Sequence, residues 1–192
     1  VSEAPLTSVS ALAAVREATP RETVVSADAG GFRIWSLVSF PTYAPRDYAT
    51  PGSWATMGTG LPGAIGAKRA NPDRPVVALV GDGGLMMAVH ELHTLVAEDL
   101  DVTVVLLDNS DYAIISEEAE RGYRMGPSEY GWPDAPIDFV EVATGMGLSA
   151  VRAETAAAVE SEVAAAVERE GPSLVEVPTD PQEPQASEWM TD

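Results

Sequence analysis

Residues 77–111, VALVGDGGLMMAVHELHTLVAEDLDVTVVLLDNSD, place an acid and two glycines after one apolar run and Asp-Asn-Ser-Asp after the next. Asp82 offers a hard carboxylate oxygen, and Asn109 offers an amide oxygen 27 positions later. A backbone carbonyl near Asp111 would add a third oxygen. Such donors suit an octahedral Mg²⁺ whose other positions go to water and phosphate oxygens. Gly83 and Gly84 fall where a helix begins, so uncovered N–H groups and the helix dipole favour an anion there. The expectation is a divalent cation that bridges the protein to a phosphate or diphosphate.

Each half also has a plainer reading, as a strand-to-helix turn with an N-cap Asp and as an ordinary Asn turn. The two together, at this spacing and each after a strand-like run, are more specific than either alone. No Lys-Ser/Thr follows the glycines, so this is not a P-loop, and the pattern is not G-x-G-x-x-G.

The elements that must position these residues follow from pattern. VVALV (76–80) and VTVVLL (102–107) are continuous β-rich runs of the kind buried on both faces of a parallel sheet. Between them Leu85, Val89, Leu92, Leu95 and Val96 form one apolar helical stripe that ends near Asp99 and Asp101. A βαβ unit places both motif turns at the same sheet edge, where open parallel sheets bind ligands.

Upstream, residues 8–18 read as a helix, TVVSA as a buried strand, 28–31 as a turn and 39–54 as a surface loop. The small residues of 56–70 predict a helix packed close to other backbone. Downstream the pattern predicts a long mobile loop over 116–136, helices near 137–146 and 154–169, and a strand at SLVEV. The whole is expected to be one α/β domain over 1–178, a doubly wound, mostly parallel sheet with helices on both faces. Residues 179–192 are expected to form an irregular acidic tail.

The 192 residues carry 30 acids against 11 bases, a formal charge of −19, with Lys68 the single lysine. Such a surface repels nucleic acid and anionic membranes. The acids are spread along the chain, as in proteins of salt-loving organisms; an acidic partner-binding face is the alternative. There is no cysteine, which excludes disulfides, thiolate nucleophiles and cysteine-held clusters. No apolar run is long enough to span a membrane, and Val1 opens neither with an initiator Met nor with a signal-peptide pattern. The chain reads as soluble and cytoplasmic, with a fragment of a longer protein left open.

GDGG with DN 27 positions after its Asp resembles the diphosphate-and-magnesium motif of thiamine-diphosphate enzymes. TMGTGLPGAIGAK (56–68) and VVSADAGGFRIW (24–35) are similar to the corresponding segments of the acetolactate synthase branch, so the resemblance covers roughly residues 5–178. It implies Asp82 and Asn109 as side-chain Mg²⁺ ligands and the Asp111 carbonyl as a third. Gly30, Gly31, Phe32, Gly83 and Gly84 would line the diphosphate. Met57 would support the bent cofactor, its amide on the aminopyrimidine, with the Ala55 carbonyl on the exocyclic amine. The bend lets the cofactor help deprotonate itself.

Some positions depart from that branch. Asp108 replaces the first Asn of Asn-Asn, and Gly31-Phe32 replaces Gln-His, so only backbone contacts carry over there. Ile114 and Glu118 stand where Met and Trp flank the substrate. The glutamate that activates the cofactor belongs to a separate pyrimidine-binding domain, so no catalytic side chain is expected in this chain, and a partner chain or domain in a homo- or hetero-oligomer is. The implied reaction decarboxylates a 2-oxo acid such as pyruvate and transfers the acyl unit. The rivals are a decarboxylase of the benzoylformate or sulfopyruvate type and a non-catalytic binding module.

Other residues are expected to be structural. His90 and His93 are one residue short of H-E-x-x-H and read as polar helix-face residues. Met86 and Met87 are expected to pack in the core, and Glu117, Glu118 and Glu120 to be a solvated run in the loop. Trp132 and Trp189 would cover the site or anchor their segments.

Overall fold

The computed structural model describes residues 5–124 and 130–184. Six strands form one sheet: β1 (Val24–Ala27), β2 (Tyr48–Ala49), β3 (Val76–Gly81), β4 (Val102–Asp108), β5 (Ser149–Arg152) and β6 (Ser173–Pro178). Their order is β2-β1-β3-β4-β6-β5 and every pairing is parallel. The helices are α1 (Ser8–Ala18), α2 (Gly31–Ser39), α3 (Gly60–Ala70), α4 (Asp82–Met87), α5 (Glu91–Ala97), α6 (Ala113–Tyr123), α7 (Phe139–Gly145) and α8 (Ala156–Glu168).

Alternation along the strands builds a core on each face. Val77, Leu79, Val105, Leu107, Val175 and Val177 pack with Leu12 and Val15 of α1 and with Val159 and Val163 of α8. Their neighbours Val76, Ala78, Val80, Val104, Leu106 and Leu174 face Leu61 of α3, Leu92 and Leu95 of α5 and Phe139 of α7. Strands buried on both sides need helices on both sides, which is the doubly wound arrangement the apolar runs predicted. Among the described residues no helix is long and apolar enough to cross a membrane.

The chain steps one way from β1 to β2, then returns past β1 to β3 and β4. The direction reverses between β1 and β3, and there the helices leave on opposite faces. A crevice must open at the carboxyl ends of these two strands. Residues 28–32 and 82–84 border it.

The sequence reading differs from the structure in places. The single stripe after β3 is two helices, because the Asp82-Gly83-Gly84 turn sets the direction of α4 while Leu92 and Leu95 must still reach the core; the chain bends over 88–90 to satisfy both. The loop expected over 116–136 begins as α6, whose Ser-Glu-Glu-Ala-Glu run favours helix until Gly122. Helix α2 was hidden by the glycines before it. Edge strands β2 and β5 lack a buried apolar run and left no signal. Residues 179–184 carry no helix or strand beyond a Leu6–Thr179 bridge, but they are held: Thr179 N–H donates to Asp108 O at 2.7 Å and Asp180 N–H to Leu6 O at 2.9 Å.

The close approach expected of 56–70 is real at the start of α3. A Cβ on Gly60 would lie 2.7 Å from Asp28 Cβ and 2.9 Å from its backbone nitrogen, whereas one on Gly66 would meet nothing within 4 Å. Gly60→Ala is therefore expected to lose about 1–3 kcal/mol of stability. Gly66→Ala, in the same helix, is expected to gain about 0.5–1 kcal/mol. Urea denaturation that moved both variants in the same direction would contradict this packing.

Candidate functional site

Three loops meet at the carboxyl edge of β1, β3 and β4. After β1, Gly30 sits at φ 157°, ψ 170°, a region open only to glycine, and a Cβ there would come within 2.7 Å of the Phe32 ring. That turn sends α2 upward and lays Phe32, 6% exposed, beside Gly81 as part of the floor. After β3, Asp82 is 4% exposed and opens α4. Gly83 packs under the Tyr112 ring, and Gly84 faces Asp28 Oδ2, which a Cβ would approach to 2.5 Å. A Cβ at Gly83 would come within 2.3 Å of the Tyr112 ring, so neither glycine admits a side chain without moving its neighbours.

After β4 the chain folds around Asp82. Its Oδ2 accepts from the N–H of Asn109 at 3.2 Å and of Asp111 at 3.3 Å, and its Oδ1 from Gly83 N–H at 2.6 Å. Asn109 Oδ1 accepts from Asp111 N–H at 3.2 Å, and Asp108 Oδ1 from Ser110 N–H at 2.9 Å. Ser110 adopts φ 58°, which bends the loop so that residues 109 and 111 both face Asp82. Burial, together with hydrogen bonding and charge from Asp108, pushes the Asp82 carboxyl up to about 8. The N–H groups of Gly83, Asn109 and Asp111 offset that burial only in part, and among the described residues no Lys or Arg side chain is hydrogen-bonded to Asp82.

All ten residues singled out from sequence line one cavity of ≈ 190 Å³: Gly30, Gly31, Phe32, Ala55, Met57, Asp82, Gly83, Gly84, Asn109 and Asp111. Ala55 lies at φ 48°, so the segment that carries Met57 is a tight, specific turn. Ile114 lines the same cavity, whereas Glu118, one turn further along α6, is exposed and does not. Sequence reasoning missed Tyr112, Ile115 and Arg33 on the wall, and Thr179, Asp180 and Glu183 of the carboxy-terminal segment. Glu183 Oε2 also accepts from Ser8 N–H at the start of α1, at 2.8 Å. Only the third dimension brings this segment back, so no local signal marks it.

The residues set aside divide as follows. His90 is exposed with Glu91 3.5 Å away, and His93 is exposed too. Among the described residues no three His, Cys, Asp or Glu side chains are grouped to hold a metal; the Asp82 site would draw on one carboxylate, one amide and a backbone carbonyl. Met86 and Met87 are not core residues: they are 41% and 53% exposed, because α4 buries only Asp82–Leu85 before the chain turns outward. Glu117, Glu118 and Glu120 ride on α6, not on a loop. Trp132 anchors the loop after β4, its backbone N–H donating to Ser110 O at 2.9 Å and its ring edge-on to Tyr112 at 5.2 Å. Trp189 lies outside the described residues.

Residues 28–177 of the chain match a known family model, "Thiamine pyrophosphate enzyme, C-terminal TPP binding domain". The chain belongs to that family. It is 32% identical over 179 residues to acetolactate synthase isozyme 1 large subunit of Escherichia coli K12, covering 93% of this chain and 32% of that protein. It is 31% identical over 161 residues to a probable acetolactate synthase large subunit of Methanococcus aeolicus, covering 84% and 27%. Among solved structures it superposes on a Rhodococcus jostii thiamine diphosphate-dependent 4-hydroxybenzoylformate decarboxylase with TM-score 0.84 and 26% identity, covering 94% of this chain and 34% of that one. The chain spans about a third of the length of these relatives.

The raised Asp82 carboxyl has a consequence for stability. Between the ordinary carboxylate range and about 8 the folded chain holds one proton more than the unfolded chain. Its contribution is complete at low pH and is lost as pH rises to about 8, at up to about 1.4 kcal/mol per pH unit. In chelator, urea denaturation between pH 5 and pH 8 should show wild type losing stability relative to Asp82→Asn as pH rises. Parallel curves for the two proteins would refute the assignment.

Proposed function

We propose that this chain is the diphosphate- and Mg²⁺-holding part of an acetolactate synthase-like enzyme, which decarboxylates a 2-oxo acid and transfers the acyl unit to an acceptor. The observation that carries the reading is Asp82: a buried carboxyl that, among the described residues, has no cationic side chain hydrogen-bonded to it and that lies against the Asn109 and Asp111 backbone on the wall of a glycine-lined cavity. The donor set fits Mg²⁺, which prefers carboxylate, amide and carbonyl oxygens and keeps places for phosphate oxygens. The glycine cradle fits a diphosphate, since Gly30, Gly31, Gly83 and Gly84 line the cavity and place no side chain in its way.

In this reading Asp82 and Asn109 would hold the cation through their side chains and Asp111 through its carbonyl, with Asp82 ionised as a metal ligand must be. Gly30, Gly31, Phe32, Gly83 and Gly84 surround the diphosphate. Ala55 and Met57 receive the aminopyrimidine, and Ile114 borders the substrate space. When bound, thiamine diphosphate supplies the carbanion and the electron sink that 2-oxo acid decarboxylation needs. The buried floor keeps water away from that chemistry. The activating glutamate comes from a pyrimidine-binding domain or chain in an oligomer, and the exposed Trp54, Met86 and Met87 offer apolar surface for it. No nucleic acid or membrane takes part, and the enzyme works in the cytoplasm.

A decarboxylase without ligation is the second reading. It is supported by the 4-hydroxybenzoylformate decarboxylase likeness and by Ile114 and Glu118, which differ from the acetolactate synthase pattern.

Calorimetry with thiamine diphosphate and Mg²⁺ tests the half-site. Wild type is expected to give Mg²⁺-dependent heat, and Asp82→Ala to weaken it by more than about tenfold. Heat that survives the substitution would refute the assignment of Asp82. The dispersed acids support adaptation to salt; raising KCl from about 0.1 M to about 1 M shortens the screening length from about 10 Å to about 3 Å and should raise the urea midpoint. An unchanged midpoint would leave an acidic docking face as the better account.

A further inference from the structure

The most fully satisfied acid beside the cavity lies outside the cation set. Asp28, directly after β1, is 0% exposed. Its Oδ1 accepts from Ala29 N–H at 2.7 Å, Thr59 N–H at 3.2 Å and the Thr59 hydroxyl at 3.3 Å, and its Oδ2 from Gly58 N–H at 2.9 Å. Its own N–H donates to Leu79 O at 2.8 Å, which ties the base of the side chain to β3. Gly60 and Gly84 both approach Asp28 so closely that a Cβ on either would collide with it. The arm therefore reaches from the sheet, past the start of α4, to the segment that carries Met57.

That segment needs an external hold. Ala55 at φ 48° and Gly58 at φ 79° flank Met57 in conformations that side-chain-bearing residues avoid. Hydrogen bonds from backbone amides to a buried carboxylate are stronger than amide-to-carbonyl bonds.

We propose that Asp28 is a positioning residue, whose carboxylate clamps the Gly58 and Thr59 amides and so sets Ala55 and Met57 at one height above the Gly83–Gly84 floor. The inference rests on the thiamine diphosphate reading of the cavity. Its effect falls on the end of the ligand that Met57 meets, because Gly83 and Gly84 are carried by α4 and meet Asp28 only where Gly84 packs on Oδ2, a contact that a residue no larger than Asp leaves unstrained. A merely structural Asp28 would instead affect both ends alike.

Calorimetry in Mg²⁺ distinguishes these, with thiamine diphosphate and inorganic diphosphate as separate ligands and folding checked by circular dichroism and urea denaturation. In Asp28→Asn one acceptor becomes an NH₂ group facing N–H donors; in Asp28→Ala both acceptors are removed with no bulk added against Gly60 and Gly84. Each variant is expected to lose at least about tenfold in affinity for thiamine diphosphate, and less than about twofold for inorganic diphosphate. If Asp28→Asn does not fold, Asp28→Ala decides alone. Equal losses for both ligands, no loss for either, or failure of both variants to fold would overturn the proposal. Wild type that bound neither ligand would overturn the cavity reading on which it rests.

Discussion

The reversal of chain direction between β1 and β3 is the constraint from which the site follows. Parallel strands point their carboxyl ends the same way, and helices leaving on opposite faces cannot fill the gap between them. Three loops from β1, β3 and β4 must then share one small space. They fit only because glycine backbone lies directly against other groups there: Gly30 on the Phe32 ring, Gly83 on the Tyr112 ring, and Gly60 and Gly84 on Asp28. The glycine content of the site is thus a packing requirement first, and the open N–H groups it leaves are what an anion can use.

Burying acids in a chain of net charge −19 is handled in three ways. Asp28 is met by backbone N–H groups and the Thr59 hydroxyl. Glu176 meets the Arg152 guanidinium at 3.1 Å, yet desolvation outweighs that partner, its carboxyl is pushed up and one oxygen has no hydrogen-bond partner. Asp82 has neither arrangement in full: its N–H donors are outweighed by burial and by Asp108. Of the three, only Asp82 lies in a cavity open to small ions, so only there would a cation relieve the electrostatic cost.

The legibility of the chain followed burial. Strands β3 and β4, covered on both faces, showed as unbroken apolar runs, β6 as a shorter one interrupted by Glu176, and α8 by its Ala-rich composition. Strands β2 and β5 sit at the sheet edges, half exposed, and their short mixed segments carry no such mark. The bend at 88–90 was invisible because Leu85, Leu92 and Leu95 keep helical spacing across it. Met86 and Met87 were misplaced for the same reason, since an unbroken helix would have turned them differently.

Sequence alone determined the pairing of chemistry with strand ends: an acid and two glycines after β3 and an amide after β4, at the separation of one crossover. Residue type and spacing suffice because the βαβ unit forces both ends to one edge. Tertiary structure decided everything that depends on distant segments meeting. It set the Asp28 clamp on residues 58–59, the return of residues 179–184 to the wall, the exposure of Met86 and Met87, and the raised Asp82 carboxyl. These arise from burial and from contacts between residues far apart in the chain, and neither quantity exists until the chain has folded.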